Sequence, residues 1–188
     1  YIPVGTQLVF KGDYEDSKKS TQAMIIVFLL AIFIVYALMA SLFESYIAPL
    51  VIMISVPFGV LGSMFLLWIT NNSLNVYSMI GMVILVGIVI NNGIVLVDYM
   101  NILLYQGMSP DEAALKTGLR RFRPVSMTTL TTIFGMIPMA LGLGDGEVTY
   151  ASLATSMIGG LILSMIFTLF IVPSLYAGIR KRFPYKKE

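Results

Sequence analysis

Residues 76 to 99 read VYSMIGMVILVGIVINNGIVLVDY, and no charged side chain interrupts them before Asp98. A helix rises about 1.5 Å per residue, so this stretch is long enough to cross the roughly 30 Å hydrocarbon core of a bilayer. The uncharged run begins earlier, after Glu44, and its only strong break is a polar cluster at residues 70–75. The sequence therefore predicts two membrane helices, at residues 48–69 and 76–99.

Similar apolar runs on both sides of this pair predict three more membrane helices, at residues 23–42, 124–143 and 150–179. Prolines inside the spans predict kinks, because neighbouring helices can satisfy the carbonyls that a proline frees. Between the spans, Ser109 as N-cap and Pro110 at the first helical position predict a cytoplasmic amphipathic helix at residues 109–120. The fold class is therefore an all-α membrane protein with five transmembrane helices.

Composition agrees with this class and excludes several functions. Of the 188 residues, 57% are hydrophobic and 12% are charged, and cysteine and histidine are both absent. Disulfides and Cys/His metal sites are thus excluded, and the spans contain no catalytic constellation, so we expect neither a cofactor, nor a metal, nor an enzyme. A net charge of +2 without a basic stripe predicts no nucleic-acid partner.

Lysine and arginine positions predict the orientation of the chain in the bilayer. Basic residues precede the helix at 124–143, and a basic tail at residues 180–188 follows the last helix. The positive-inside rule places both segments in the cytoplasm. Five crossings then place residues 1–22, which do not resemble a signal peptide, on the opposite side; we expect the chain to begin in the middle of a longer protein.

Small residues recur every four positions in two of the predicted helices. Ser152, Ser156, Gly160 and Ser164 form one such row, and Gly59 lies between Ser55 and Ser63 in the other. Close helix packing in a membrane requires small side chains, so we interpret both rows as packing seams.

Polar residues at membrane depth are the candidate functional groups. Asn91 and Asn92 either join neighbouring helices by hydrogen bonds or form part of a polar relay, and the sequence leaves both interpretations open. Thr128 either bonds back to its own helix or serves such a relay. Arg121 either anchors the cytoplasmic end of its helix or pairs with an acid inside the bundle. Asp98, at a helix end, is expected to be an interfacial, hydrated acid.

Four stretches resemble the resistance-nodulation-division (RND) family of efflux transporters, in its AcrB/MexB-like hydrophobe/amphiphile efflux branch. Residues 42–45, followed by Pro49 and residues 56–62, are similar to the cytoplasmic turn and following helix near the family's eighth and ninth helices. Residues 87–99 and 121–130 resemble its tenth and eleventh helices. The ending from Gly159 to Tyr176 is similar to the twelfth helix. The resemblance covers nearly the whole chain, as helices 8 to 12 of such a transporter.

This resemblance implies a proton-driven exporter of drugs or other amphiphiles in the bacterial inner membrane, and residues 1–22 would end its periplasmic domain. It implies a homotrimer, a missing N-terminal half, and a periplasmic adaptor and outer-membrane channel as further partners. The alternative, from a different class, is a structural or truncated membrane module without transport of its own.

The resemblance also implies roles for three residues. In multidrug members, two aspartates on the fourth helix work with a lysine, an arginine and a threonine, which correspond to Asn91, Arg121 and Thr128 here. Asn91 departs from this pattern because an amide cannot neutralise paired carboxylates. We therefore expect either a branch with an altered charge balance or a larger share of the positive charge on Arg121, whose guanidinium is permanently charged.

Overall fold

The computed structural model describes residues 12–143 and 147–182, with side chains for residues 18–143 and 150–182. Its elements are all helices: α1 (Gly12–Phe43), α2 (Ile47–Met53), α3 (Ser55–Ile69), α4 (Val76–Tyr105), α5 (Pro110–Ala140) and α6 (Glu147–Arg182). The predicted all-α membrane class is confirmed. The structure describes only part of the two predicted terminal segments. Residues 12–22 belong to helix α1, and residues 180–182 of the basic tail belong to helix α6. Residues 1–11 and 183–188 lie outside the described residues.

Four segments are long and apolar enough to cross a membrane: Lys18–Phe43, Ile47–Ile69, Val76–Tyr105 and Tyr150–Arg182. Helix α5 is 31 residues long but is not among them. Charged residues in its first half and threonines in its second half lower its apolarity. The crossing at residues 124–143 therefore stays a prediction.

The boundary predicted between residues 120 and 124 is wrong, because α5 runs unbroken from Pro110 to Ala140 and contains Pro124. Its start is strongly fixed, since Ser109 and Glu112 form a capping box. Between this capping box and Pro124 the sequence contains no glycine pair or turn motif that would end the helix. A single proline removes only one helical hydrogen bond. The amphipathic segment and the predicted span are thus one helix.

A break does occur in the span predicted at residues 48–69, where α2 ends at Met53 and α3 begins at Ser55. Pro57 explains it, because its ring cannot donate a hydrogen bond and crowds the carbonyl four residues earlier, that of Met53. The Ser55 hydroxyl donates to the Ile52 carbonyl oxygen at 2.6 Å and compensates in part. Pro173 lies inside α6 without interrupting it.

Helix α6 packs against α2, α3, α4 and α5, and α1 packs on α2 and α4. The largest buried cluster joins α1, α2, α4 and α6, through residues such as Met39, Ile52, Ile90 and Tyr176. Helix α1 is otherwise largely uncovered, since only 6% of its apolar window is buried. The described helices thus form one bundle with α6 at its centre.

The seam on α6 contacts two helices in turn. Ser152 bonds the Asn75 side chain at 2.8 Å, and Ser156 donates to the Ser78 carbonyl of α4 at 3.1 Å. Further along, Gly160 and Ser164 lie against Gly59 of α3. All of these seam residues are buried, and the glycines let the α3 and α6 backbones touch.

Candidate functional site

Helices α4 and α5 form an antiparallel pair joined by a tight turn. Gly107, with a φ of +87°, ends α4, and Ser109 caps α5 two residues later. Contacts fix the register: the Arg121 guanidinium lies over Tyr99, and Val125 packs with Leu96. This register places Thr129 level with Asn92.

Arg121 is the central side chain of this pair. Its guanidinium carbon lies 4.6 Å from the centroid of the Tyr99 ring, a distance at which the ring face attracts a cation. Its Nε is buried and makes no hydrogen bond within the described part of the chain. The ring of Tyr99 is therefore its main stabilising contact there.

A cavity of about 490 Å³ opens beside Arg121. Its wall combines the Arg121 side chain with Asp98 of α4, and the remaining lining residues are apolar: Leu42, Phe43, Ile94 and Val95. Arg121 and Asp98 thus share one cavity, yet no ion pair joins them among the described residues. The sequence-based interpretation of Asp98 as an interfacial acid did not include this neighbour.

The two asparagines point in different directions. Asn91 is exposed and lies seven residues before Asp98, which puts both on one face of α4. Ile94 and Val95, which line the cavity, are one turn from Asn91. Asn92 is half-buried and lies on the side of α4 that faces α5. Asn91 therefore borders the cavity face, and Asn92 belongs to the helix contact.

Thr128 lies two turns beyond Arg121 on α5 and is exposed. Its hydroxyl donates to the Val125 carbonyl oxygen at 3.0 Å, as threonines inside helices commonly do. Thr131 and Thr132 make the same kind of bond, to the Met127 and Thr128 carbonyl oxygens. Arg121 and Thr128 share a face, but no hydrogen bond joins Thr128 to Asn91 in the described part of the chain.

A second polar cluster, which the sequence analysis missed, joins α4 and α6 near the C-terminal end of α6. The buried Tyr176 hydroxyl donates to the Asn101 side-chain oxygen at 2.7 Å and accepts from Nε of Arg180 at 3.0 Å. Lys181 forms an ion pair with Asp111 of α5 at 2.8 Å. Arg180 and Lys181 appeared in the sequence only as part of a basic tail, because Asn101 and Asp111, their partners on other helices, lie 79 and 70 residues earlier in the chain.

Tyr99 was also missed as a functional residue. It stands next to Asp98 in the chain and looks like an ordinary aromatic residue at a helix end. The signal that identifies it is the antiparallel register of α4 and α5, which becomes visible only when the turn at Gly107 is placed.

Fold and site together define a multi-pass α-helical membrane protein with a permanent cation held between two of its helices. The chain belongs to the AcrB/AcrD/AcrF family of RND efflux transporters, whose model matches residues 1–180. The expected family membership is thereby confirmed.

Curated relatives agree with this family. Multidrug resistance protein MdtC of Proteus mirabilis (strain HI4320) is 33% identical over 191 residues, covering 100% of this chain and 19% of the relative. Swarming motility protein SwrC of Bacillus subtilis (strain 168) is 41% identical over 164 residues, covering 85% of this chain and 16% of the relative. The chain thus spans less than a fifth of the length of these relatives.

The fold resembles that of a solved heavy metal efflux pump. The crystal structure of that pump matches with a TM-score of 0.81 and 29% identity, over 91% of this chain and 17% of the pump. The described helices therefore correspond to a small part of a larger transporter.

Proposed function

We propose that this chain is the C-terminal membrane half of a proton-driven RND efflux transporter that exports drugs or other amphiphiles by proton antiport. The observation that carries this proposal is Arg121, a permanent cation between α4 and α5 whose Nε has no hydrogen-bond partner in the described part of the chain. Cations at membrane depth usually belong to substrate or proton pathways. The relatives named multidrug resistance proteins support the export of drugs.

The mechanism follows from the charge of Arg121. Carboxylates in a low-dielectric bundle stay ionised only beside a cation, and protonation of these acids releases that cation to move. The acids would lie in the missing N-terminal half, packed against the exposed face of α4 that carries Asn91 and Asp98. With an amide at Asn91, Arg121 supplies the positive charge on this side, in the AcrB/MexB-like branch or a variant of it.

The proposed setting is the bacterial inner membrane, with residues 180–188 in the cytoplasm. The whole transporter would be a homotrimer that works with a periplasmic adaptor and an outer-membrane channel. Positive charge before residue 124 and after residue 179 supports this orientation.

The test is proton-gradient-driven export by the full-length protein in proteoliposomes. Arg121→Ala should reduce export by tenfold or more, on the order of what loss of an essential charge costs. Arg120→Ala is the matched control, because Arg120 is the exposed neighbour, and it should retain export. Thr128→Ala should cause a milder loss, because the Thr128 hydroxyl already bonds its own helix.

The proposal fails if Arg121→Ala and Asn91→Ala both leave proton-coupled export unchanged. A protein that inserts and assembles normally but never couples export to a proton gradient would instead be the structural module considered above.

A further inference from the structure

Arg121 is held by an aromatic ring rather than by an acid. Its guanidinium lies over the ring of Tyr99, whereas the carboxylate of Asp98 lines the same cavity without pairing with it. Guanidinium groups are planar and more weakly hydrated than ammonium groups, so they stack well on aromatic faces. An aromatic ring attracts the cation but does not neutralise it.

That difference matters for a cation that must respond to protonation. A carboxylate in permanent contact would cancel the charge of Arg121 and keep it from other acids. The ring leaves the full charge available to acids outside this chain. Of the other elements lining the cavity, α1 contributes only Leu42 and Phe43, so Asp98 is the acid on its wall that could capture a released guanidinium.

We infer that Tyr99 is a positioning residue that keeps Arg121 in a resting place from which its charge reaches the acids of the packed N-terminal half. This inference rests on the proposed function of Arg121. The part of Tyr99 that acts is its ring, because its hydroxyl makes no hydrogen bond in the described part of the chain.

The experiment replaces Tyr99 in the full-length transporter by Tyr99→Phe and then by phenylalanine derivatives with increasing fluorination of the ring. Fluorination weakens the negative face of the ring while nearly preserving its shape. Proton-coupled export should be retained in Tyr99→Phe and should fall stepwise with fluorination. A total loss between about twofold and about thirtyfold corresponds to the usual strength of a cation–π contact.

Tyr77 provides the matched control on the same helix. Its ring contacts another ring, that of Tyr150, edge to face with centroids 5.6 Å apart. The same fluorinated series at residue 77 should leave the rate of proton-coupled export unchanged. An equal decline at both positions would assign the effect to ring packing and overturn the inference.

The outcome for Arg121 separates the two proposals. If Arg121→Ala abolishes export and the fluorinated Tyr99 series is flat, Tyr99 does not position Arg121, and the proposed function stands. If Arg121→Ala and Asn91→Ala both have no effect, the proposed function itself fails, whatever the series shows. Tyr99→Leu serves as a second variant and should reduce export at an unchanged amount of folded protein.

Discussion

Arg121 on α5 and Arg180 on α6 show two ways of holding a cation. Arg180 also lies over a ring, that of Tyr176 at 5.0 Å, but it donates hydrogen bonds to the Tyr176 hydroxyl and the Asn101 side chain as well, and these directional contacts fix its position. Arg121 rests on a ring face, where the attraction is broad and depends weakly on angle. The contact of Arg121 is thus suited to a group that moves, and that of Arg180 to a structural tie.

Thr129 of α5 lies at the contact between α4 and α5, and it provides a test of what an unpaired polar group costs there. It is 2% exposed, and its hydroxyl makes no hydrogen bond in the described part of the chain. Thr129→Val keeps the shape and removes the hydroxyl, so it should leave stability unchanged or raise it by about 1 kcal/mol. The thermal unfolding midpoint of the purified full-length protein measures this effect. A clear decrease would show that the hydroxyl has a partner elsewhere in the transporter.

The sequence identified part of this site. Arg121, Asn91 and Thr128 follow from motifs that resemble the RND family. The structure places Arg121 on the cavity wall and Asn91 one turn before the lining residues Ile94 and Val95. Tyr99 could not be found this way, because a contact between a ring and a guanidinium depends on the register of two helices. Periodicity within one helix carries no information on that register.

Among the elements, α3 and α6 make the closest contact. A Cβ atom added at Gly62 would lie 2.7 Å from the Leu163 Cβ and 3.0 Å from the Gly159 carbonyl carbon. Backbone atoms cannot move aside as a flexible side chain can. Gly62→Ala should therefore destabilise the fold by about 1–3 kcal/mol, the usual cost of overpacking.

Gly87 of α4 provides the control for that prediction, because a Cβ there would meet nothing within 4 Å. Gly87→Ala should be neutral or slightly stabilising, since alanine favours a helix more than glycine. Unfolding midpoints of both variants in detergent decide the matter. Equal behaviour of the two would mean that the α3 and α6 backbones do not touch in the full protein.

The helix boundaries show which sequence features predict secondary structure reliably and which do not. Charge-free length revealed the apolar spans, because hydrocarbon excludes charge along the whole crossing. Prolines gave an ambiguous signal: Pro57 accompanies a break, whereas Pro124 and Pro173 lie inside continuous helices. Whether a proline breaks a helix depends on neighbours that satisfy the freed carbonyl, and those neighbours come from tertiary packing.

At the scale of the whole molecule, the helices differ in how firmly they are joined. Helix α6 is tied to α4 near its start by Ser152 and near its end by Tyr176, and glycines and small residues join it to α3 between them. Helix α1 and the Asn91 face of α4 are exposed instead. This contrast predicts that α3, α4 and α6 move as one block during transport. The Arg121 side chain of α5 would then move relative to that block.

A disulfide across the α3–α6 seam tests the rigid block. A Cβ atom at Gly59 would lie 3.6 Å from the Ser164 Cβ, within the roughly 3.5–4.5 Å that disulfides require. Gly59→Cys combined with Ser164→Cys should therefore form a disulfide under mild oxidation, visible as an altered gel mobility after cleavage of the chain between the two positions. Because the block does not open, the oxidised transporter should export at the same rate as its reduced form, and each single variant should do likewise. Export that stops on oxidation and returns on reduction would show that α3 and α6 separate during transport, and the moving boundary would then lie inside the seam.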